Sequence, residues 1–263
     1  MIDRALAGER LGEASGRFAA LLRTAPDAQQ RVRGLDWTVS ELGRHVLGGL
    51  RGRAAMARGG PPQWPDLLDG AAHNARQVAA QPEIEPMAIA DAIDTQLSDT
   101  LEAFRTMDEP FHWEGGVDVP VAVSVAGHLG DTLVHGFDLA RTLRTRWTID
   151  PADARLALAA NNHLISHLVN HEAAAGKRLT LRLHLRAGES YLLRLAEGEF
   201  VVRELAAGER PKADAVITAE PVAFLLQGIN RMSPLSAALR GKVRVTGRRP
   251  WVALQLRKLV RIP

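Results

Sequence analysis

Apolar residues recur at helical spacing along roughly the first two thirds of the chain and at every second position along part of the last third. Between residues 3 and 23, Leu6, Leu11, Phe18, Leu21 and Leu22 fall on a helical stripe. Thr38 or Ser40 suits the N-cap of a second helix running to about Arg58, with Thr38 and Glu41 at capping-box spacing. The run Gly59-Gly60-Pro61-Pro62-Gln63-Trp64-Pro65 ends it. Ile89, Ile93, Leu97, Leu101 and Phe104 predict a helix from Met87 to Met107. Glu114-Gly115-Gly116 reads as a turn, and Pro120 suits the first turn of a helix reaching about Leu143. Asp150-Pro151 opens a fifth helix, expected to end near Gly176. Long helices with intervening loops predict an up-down four-helix bundle.

The period then changes to two. Leu179, Leu181, Leu183 and Leu185 alternate with Thr180, Arg182 and His184, which predicts a strand buried on one face. Residues 190–196, 200–205 and 214–218 read as further strands. Helices at 221–230 and 234–240, a strand at 242–246 and a last helix at 250–260 complete the chain. The fold class expected is α+β: a bundle over 1–175 and a small α+β domain over 176–263, with the boundary near 174–178.

Charge supports that division. Residues 1–175 carry 16 basic and 23 acidic side chains and residues 176–263 carry 17 and 7, so nets of −7 and +10 sum to the +3 of the whole chain. A basic half can attract an anion, such as a carboxylate substrate or a phosphate-bearing ligand, or can simply be solvated or paired with the acidic half. Arg240, Lys242, Arg244, Arg248, Arg249, Arg257, Lys258 and Arg261 cluster at the end, but Trp251 is the sole aromatic among them. A nucleic-acid stacking platform is therefore not expected. No apolar run approaches the ~18 residues of a membrane span. Met1-Ile2-Asp3-Arg4 lacks the layout of a signal peptide, and the expected location is cytoplasmic. The chain has no cysteine, which excludes disulfides, zinc-thiolate sites and a protein thiol nucleophile. Dinucleotide-binding, Walker and serine-elbow motifs are missing as well.

Two short stretches carry candidate chemistry: Trp37-Thr38-Val39-Ser40-Glu41-Leu42-Gly43-Arg44-His45, and Asp131-Thr132-Leu133-Val134-His135-Gly136-Phe137-Asp138. Asp131 and His135, at i and i+4, project from one helix face. His45 can close the set from another helix. Two imidazoles and a carboxylate suit Zn²⁺ or another divalent ion and leave coordination positions open. Such an ion would bind an external thiol as thiolate or activate water. His128, three residues before Asp131, is the candidate catalytic residue, as a proton-handling or supporting group, or else lines the bundle interior. Asp138 can orient an imidazole by accepting its other N–H, or can cap a neighbouring segment. His163, His167 and His171 look like a metal tract, yet outer members two turns apart span about 12 Å. No single ion reaches both with bonds of ~2 Å, so an exposed helix face is expected there.

The stretches WTVSELGRHV and GDTLVHGFDLA resemble the mycothiol-dependent maleylpyruvate isomerase family, part of a wider group of DinB-like metal-binding bundles. DAVITAEPVAFLLQGI and LRGKVRVTGRRPWVALQLRKLV resemble the family's tail, a small domain similar to sterol carrier protein 2. The resemblance implies a metal held by a histidine of the tryptophan-led motif and a Glu-x-x-x-His pair. His45 and His135 match, while Asp131 stands where glutamate is usual and shortens the carboxylate arm by one methylene. It implies mycothiol as thiol cofactor and an isomerase or S-transferase acting on a small electrophilic, anionic substrate. The alternative function is a non-catalytic protein binding lipid or another apolar ligand in its C-terminal domain, with a degenerate metal site.

Overall fold

The computed structural model describes residues 2–62 and 70–260. Gln63, Trp64 and Pro65 of the expected helix break, Arg261 of the basic tail and Met1 lie outside them. The chain divides into two compact units after Ile149.

The first unit contains α1 (Arg4–Arg23), α2 (Val39–Ala57), α3 (Gly70–Ala79), α4 (Pro86–Thr106) and α5 (Val121–Thr142). Asp3 caps α1 by accepting from the Ala5 and Leu6 amides. Thr38 and Glu41 form the expected capping box of α2, a device worth about 1 kcal/mol. α1 packs on α4 and α5, and α2 packs on the same two helices. Around the bundle the order of main contacts is therefore α1, α4, α2, α5, so the consecutive helices α1 and α2 stand across from one another. Phe18, Leu22, Leu42, Val46, Leu50, Ile89, Ile93 and Leu139, each fully buried, fill the space between the four. Two elements beyond the expected ones appear: the helix α3, and a hairpin of β1 (Phe111–Trp113) and β2 (Val117–Val119). The hairpin turns at the expected Glu114-Gly115-Gly116, where both glycines take positive φ of 65° and 72°, a region open to glycine at little cost.

The second unit begins with α6 (Pro151–Leu164) and a short turn of helix, α7 (His171–Ala174). A five-stranded sheet follows: β3 (Leu179–Leu185), β4 (Ser190–Ala196), β5 (Glu199–Glu204), β6 (Ala215–Ala219) and β7 (Val243–Thr246), in the order β5-β4-β3-β6-β7. β3 runs parallel to β6, and the other pairs are antiparallel. The period-two pattern is realised as read. Leu179, Leu181, Leu183, Leu185, Tyr191, Leu193, Leu195 and Ile217 make one face, each at most 4% exposed. The helices α8 (Pro221–Gly228), α9 (Pro234–Leu239) and α10 (Leu256–Leu259) complete the unit, and α6 packs on α8.

Three expectations need correcting. The fifth helix does not reach Gly176. It stops at Leu164 and tightens into a 3-10 turn over Ile165–Leu168. Val169 then turns extended to pair with Val260, and the Asn170 amide bonds to the Leu259 carbonyl, so the backbone there serves tertiary pairing. Since α6 packs on α8, it belongs with the second unit, and the division falls well before the expected 174–178. The final segment is likewise a 3-10 turn, Pro250–Gln255, followed by one helical turn.

Candidate metal centre

Two helices of the first unit bring the site together. On α2, His45 sits two turns past the capping box that fixes where the helix begins. On α5, His128, Asp131, His135 and Asp138 follow one another at three- and four-residue intervals and form one stripe.

One ligand atom from each of His45, Asp131 and His135 lies within 4.8 Å of the other two. His45 Nε2 is 3.6 Å from Asp131 Oδ2, and His135 Nε2 is 3.3 Å from Asp131 Oδ1. In a tetrahedral site with bonds of ~2.0–2.1 Å, neighbouring ligand atoms stand about 3.3–3.4 Å apart. The two distances end on different oxygens of Asp131 and are close to that spacing. The donor set of two imidazole nitrogens and one carboxylate suits Zn²⁺ or a related divalent ion. Both histidines are 8% exposed.

Further groups surround the three. The Trp37 ring lies 4.8 Å from the His45 ring and 6.0 Å from that of His135, an apolar wall on one side. Asp138, fully buried, places Oδ2 3.7 Å from His135 Nδ1. That exceeds a hydrogen bond, so its carboxylate acts on the ring as a nearby charge. The N–H contact that the imidazole-orienting reading requires is not formed at this distance. His128 is fully buried, with neither ring nitrogen hydrogen-bonded among the described residues. It lies against α2 at Gly49: a Cβ built there would come 2.8 Å from His128 Cε1.

Burial lowers the His45 pKa; Asp131 counters it, while His135 and Arg53 add to the lowering. Burial and then the Arg53 charge push His128 down to about 3. Burial works against both charged forms in the Asp131–His135 pair as well, yet their mutual attraction prevails. Asp131 is held well below the usual carboxylate range and His135 is pushed up to about 9. Without a metal, the attraction between them favours an imidazolium facing a carboxylate.

The histidines of the second unit do not assemble. His163 ends α6, His167 sits in the 3-10 turn and His171 opens α7, all exposed. Among the described residues, His45, Asp131 and His135 form the group with metal-binding spacing. Sequence reasoning gave no role to Trp37, Gly49 or Arg53. The last two follow His45 at four and eight residues, so their place on its helix face was legible.

Residues 10–140 match the family model described as the mycothiol maleylpyruvate isomerase N-terminal domain, and residues 162–261 match that of the SCP-2 sterol transfer family. A crystal structure of the mycothiol-dependent maleylpyruvate isomerase is similar over 93% of both chains, at 11% identity and a TM-score of 0.57. A histidine-to-alanine mutant of that isomerase gives the same coverage and identity and a TM-score of 0.56. No curated protein matches this chain.

Proposed function

The chain belongs to the mycothiol maleylpyruvate isomerase family through its helical unit, joined to a domain of the SCP-2 sterol transfer family, and from that membership we propose that it is a metal-dependent, thiol-using isomerase. The observation that carries this reading is the convergence of His45, Asp131 and His135 ligand atoms within 4.8 Å. These three residues hold a divalent ion, with zinc the best match to the donors. Bound there, the ion supplies the positive charge that keeps an incoming thiol ionised at neutral pH.

The chain contributes no thiol of its own, since it lacks cysteine. The thiol is therefore a small external one, with mycothiol implied by the family. In the reaction, the thiolate sulfur adds to an activated carbon–carbon double bond, the resulting single bond rotates, and the sulfur leaves with its electron pair as the double bond re-forms. Thiol and protons are returned, so the balance is that of an isomerisation. An S-transferase is the same addition without the final departure.

Each side chain has a task in this scheme. Asp138 biases the His135 ring so that Nε2 faces Asp131. Trp37 shields one side of the imidazole pair from water. His128, kept neutral by burial and by Arg53, offers one N–H and one lone pair beside the centre. Its low pKa suits it to hydrogen bonding in the neutral form more than to storing a proton. The apolar-ligand alternative has weaker support. The inner sheet face of the second unit is filled by its own leucines. A groove of about 610 Å³ in that unit mixes charged side chains, Arg182, Glu204 and Arg210, with apolar ones, Leu205 and Val216.

Metal analysis of the purified full chain, beside His45→Ala and His135→Ala, tests the site. The expected result is near-stoichiometric zinc in the parent and its loss in both variants, together with loss of mycothiol-dependent maleylpyruvate isomerisation followed by absorbance. Equal metal content in all three proteins refutes the assignment.

A further inference from the structure

Arg44, Arg51 and Arg53 lie on α2 and Arg58 caps its C-terminus; Arg44 and Arg53 each bury an Nε that has no hydrogen-bond partner among the described residues. Arg51 donates to both Glu83 carboxylate oxygens at 3.0 and 2.6 Å, and Arg58 is paired with Asp99. Arg53 has no hydrogen bond or ion pair among the described residues, and its Nε is buried. A guanidinium taken partly out of water without a carboxylate is costly unless a partner arrives. Its location gives the contrast meaning. His45, Gly49 and Arg53 are spaced by four and lie on one face of α2. Helical side chains lean toward the N-terminus, so that of Arg53 reaches back over the Gly49 turn, where His128 fits for want of a Cβ. Its charge is felt at both His45 and His128. The acid of the centre, Asp131, is already engaged with two imidazoles.

We infer that Arg53 is the substrate-anchoring residue of the centre, holding a carboxylate of the substrate by a bidentate contact one to two helical turns from the His45–Asp131–His135 group. This rests on the reading of that group as the catalytic centre and adds the residue that would hold a carboxylate of its substrate. A planar guanidinium matches a carboxylate through two parallel N–H···O contacts. The assignment moves the anion-binding role from the basic second unit, where net charge alone had pointed, into the acidic first unit.

The experiment is isothermal titration of maleate, and of its uncharged dimethyl ester, into the full chain in zinc-loaded and EDTA-treated forms. Arg53→Gln and Arg53→Lys are compared with the parent, and zinc content is measured for each. The expected result is saturable maleate binding by the parent. Arg53→Gln weakens it by at least about tenfold, and Arg53→Lys weakens it less because charge survives without the fork. Ester binding and zinc content stay unchanged. The same maleate affinity in Arg53→Gln and the parent, or no saturable maleate binding by the parent, overturns the inference. Circular dichroism checks folding. If Arg53→Gln is unfolded, Arg53→Lys decides, and an unchanged maleate affinity in it overturns the bidentate assignment. The zinc-loaded series separates the two readings: Arg53-dependent maleate binding in a parent that takes up no zinc on loading refutes the metal centre and leaves the anion site standing.

Discussion

Gly49→Ala is the smallest change that tests how the centre is held together. A Cβ at this position stands 2.8 Å from His128 Cε1, whereas carbon atoms rest about 3.5–4.0 Å apart. Roughly 0.7–1 Å must be found. The far end of a side chain usually yields such a distance cheaply, but the His128 ring is fully buried, and a close-packed interior resists its swing. The shift therefore falls on the spacing of α2 and α5, the helices that carry His45 on one side and Asp131 with His135 on the other. An opening of that size turns the 3.6 Å separation of His45 Nε2 and Asp131 Oδ2 into one too long for a shared ion. Alanine gains about 0.5–1 kcal/mol over glycine inside a helix, and overpacking a core costs about 1–3 kcal/mol, so the net is a loss of about 0.5–2 kcal/mol. Gly16 and Gly127 are the controls: each is helical, and a Cβ at either meets nothing within 4 Å. Alanine at those two positions raises stability by about 0.5–1 kcal/mol. Urea unfolding of the four metal-free proteins reads the sign, and zinc titration reads the geometry, with about a tenfold or greater loss of affinity expected for Gly49→Ala alone. A Gly49→Ala protein as stabilised as the two controls, and binding zinc as tightly as the parent, would falsify the packing argument.

Three further outcomes follow from the structure. Because the folded state raises His135 to about 9, its proton stabilises the metal-free protein fully below the ordinary histidine value of about 6.5, and that contribution is lost as pH rises through about 9. Metal-free stability should thus fall from pH 7 to 10. Zinc binding at pH 7.5 should release about one proton, measured by calorimetry in buffers of different ionisation enthalpy; zinc binding with no proton release contradicts the imidazolium–carboxylate pair. Gly136→Ala drives a Cβ to 2.1 Å from Trp147 Cζ2, a ring anchored by its N–H to the Leu133 carbonyl at 3.0 Å and covered by Arg17. It should cost about 2 kcal/mol or more and lower the thermal midpoint by several degrees; an unchanged midpoint would show that the indole moves aside freely.

The residues that could be read from the chain were those whose job is set by local periodicity. Four long helices, the Thr38–Glu41 box and the alternation of Leu179–Leu185 each follow from contacts a few residues apart, and each is present. What could not be read depends on partners distant in sequence. Nothing local ends α6 at Leu164; the cause is Val260, whose backbone pairs with Val169 nearly a hundred positions earlier. The ring order of the bundle is hidden for the same reason, since a loop does not state which neighbour its next helix will find. The centre itself falls between these cases. The Asp131 and His135 spacing is local, while the joining of His45 needs two helix faces to meet at a fixed distance, and that distance is set by a residue without a side chain. At Gly49 an absence on α2 admits the His128 ring from α5, so the histidines and Arg53 come together where a methyl group would have kept them apart. A glycine inside a helix, four residues from a candidate ligand and on its face, is therefore as much a mark of a site as the ligand is, because it shows where another chain segment must come close.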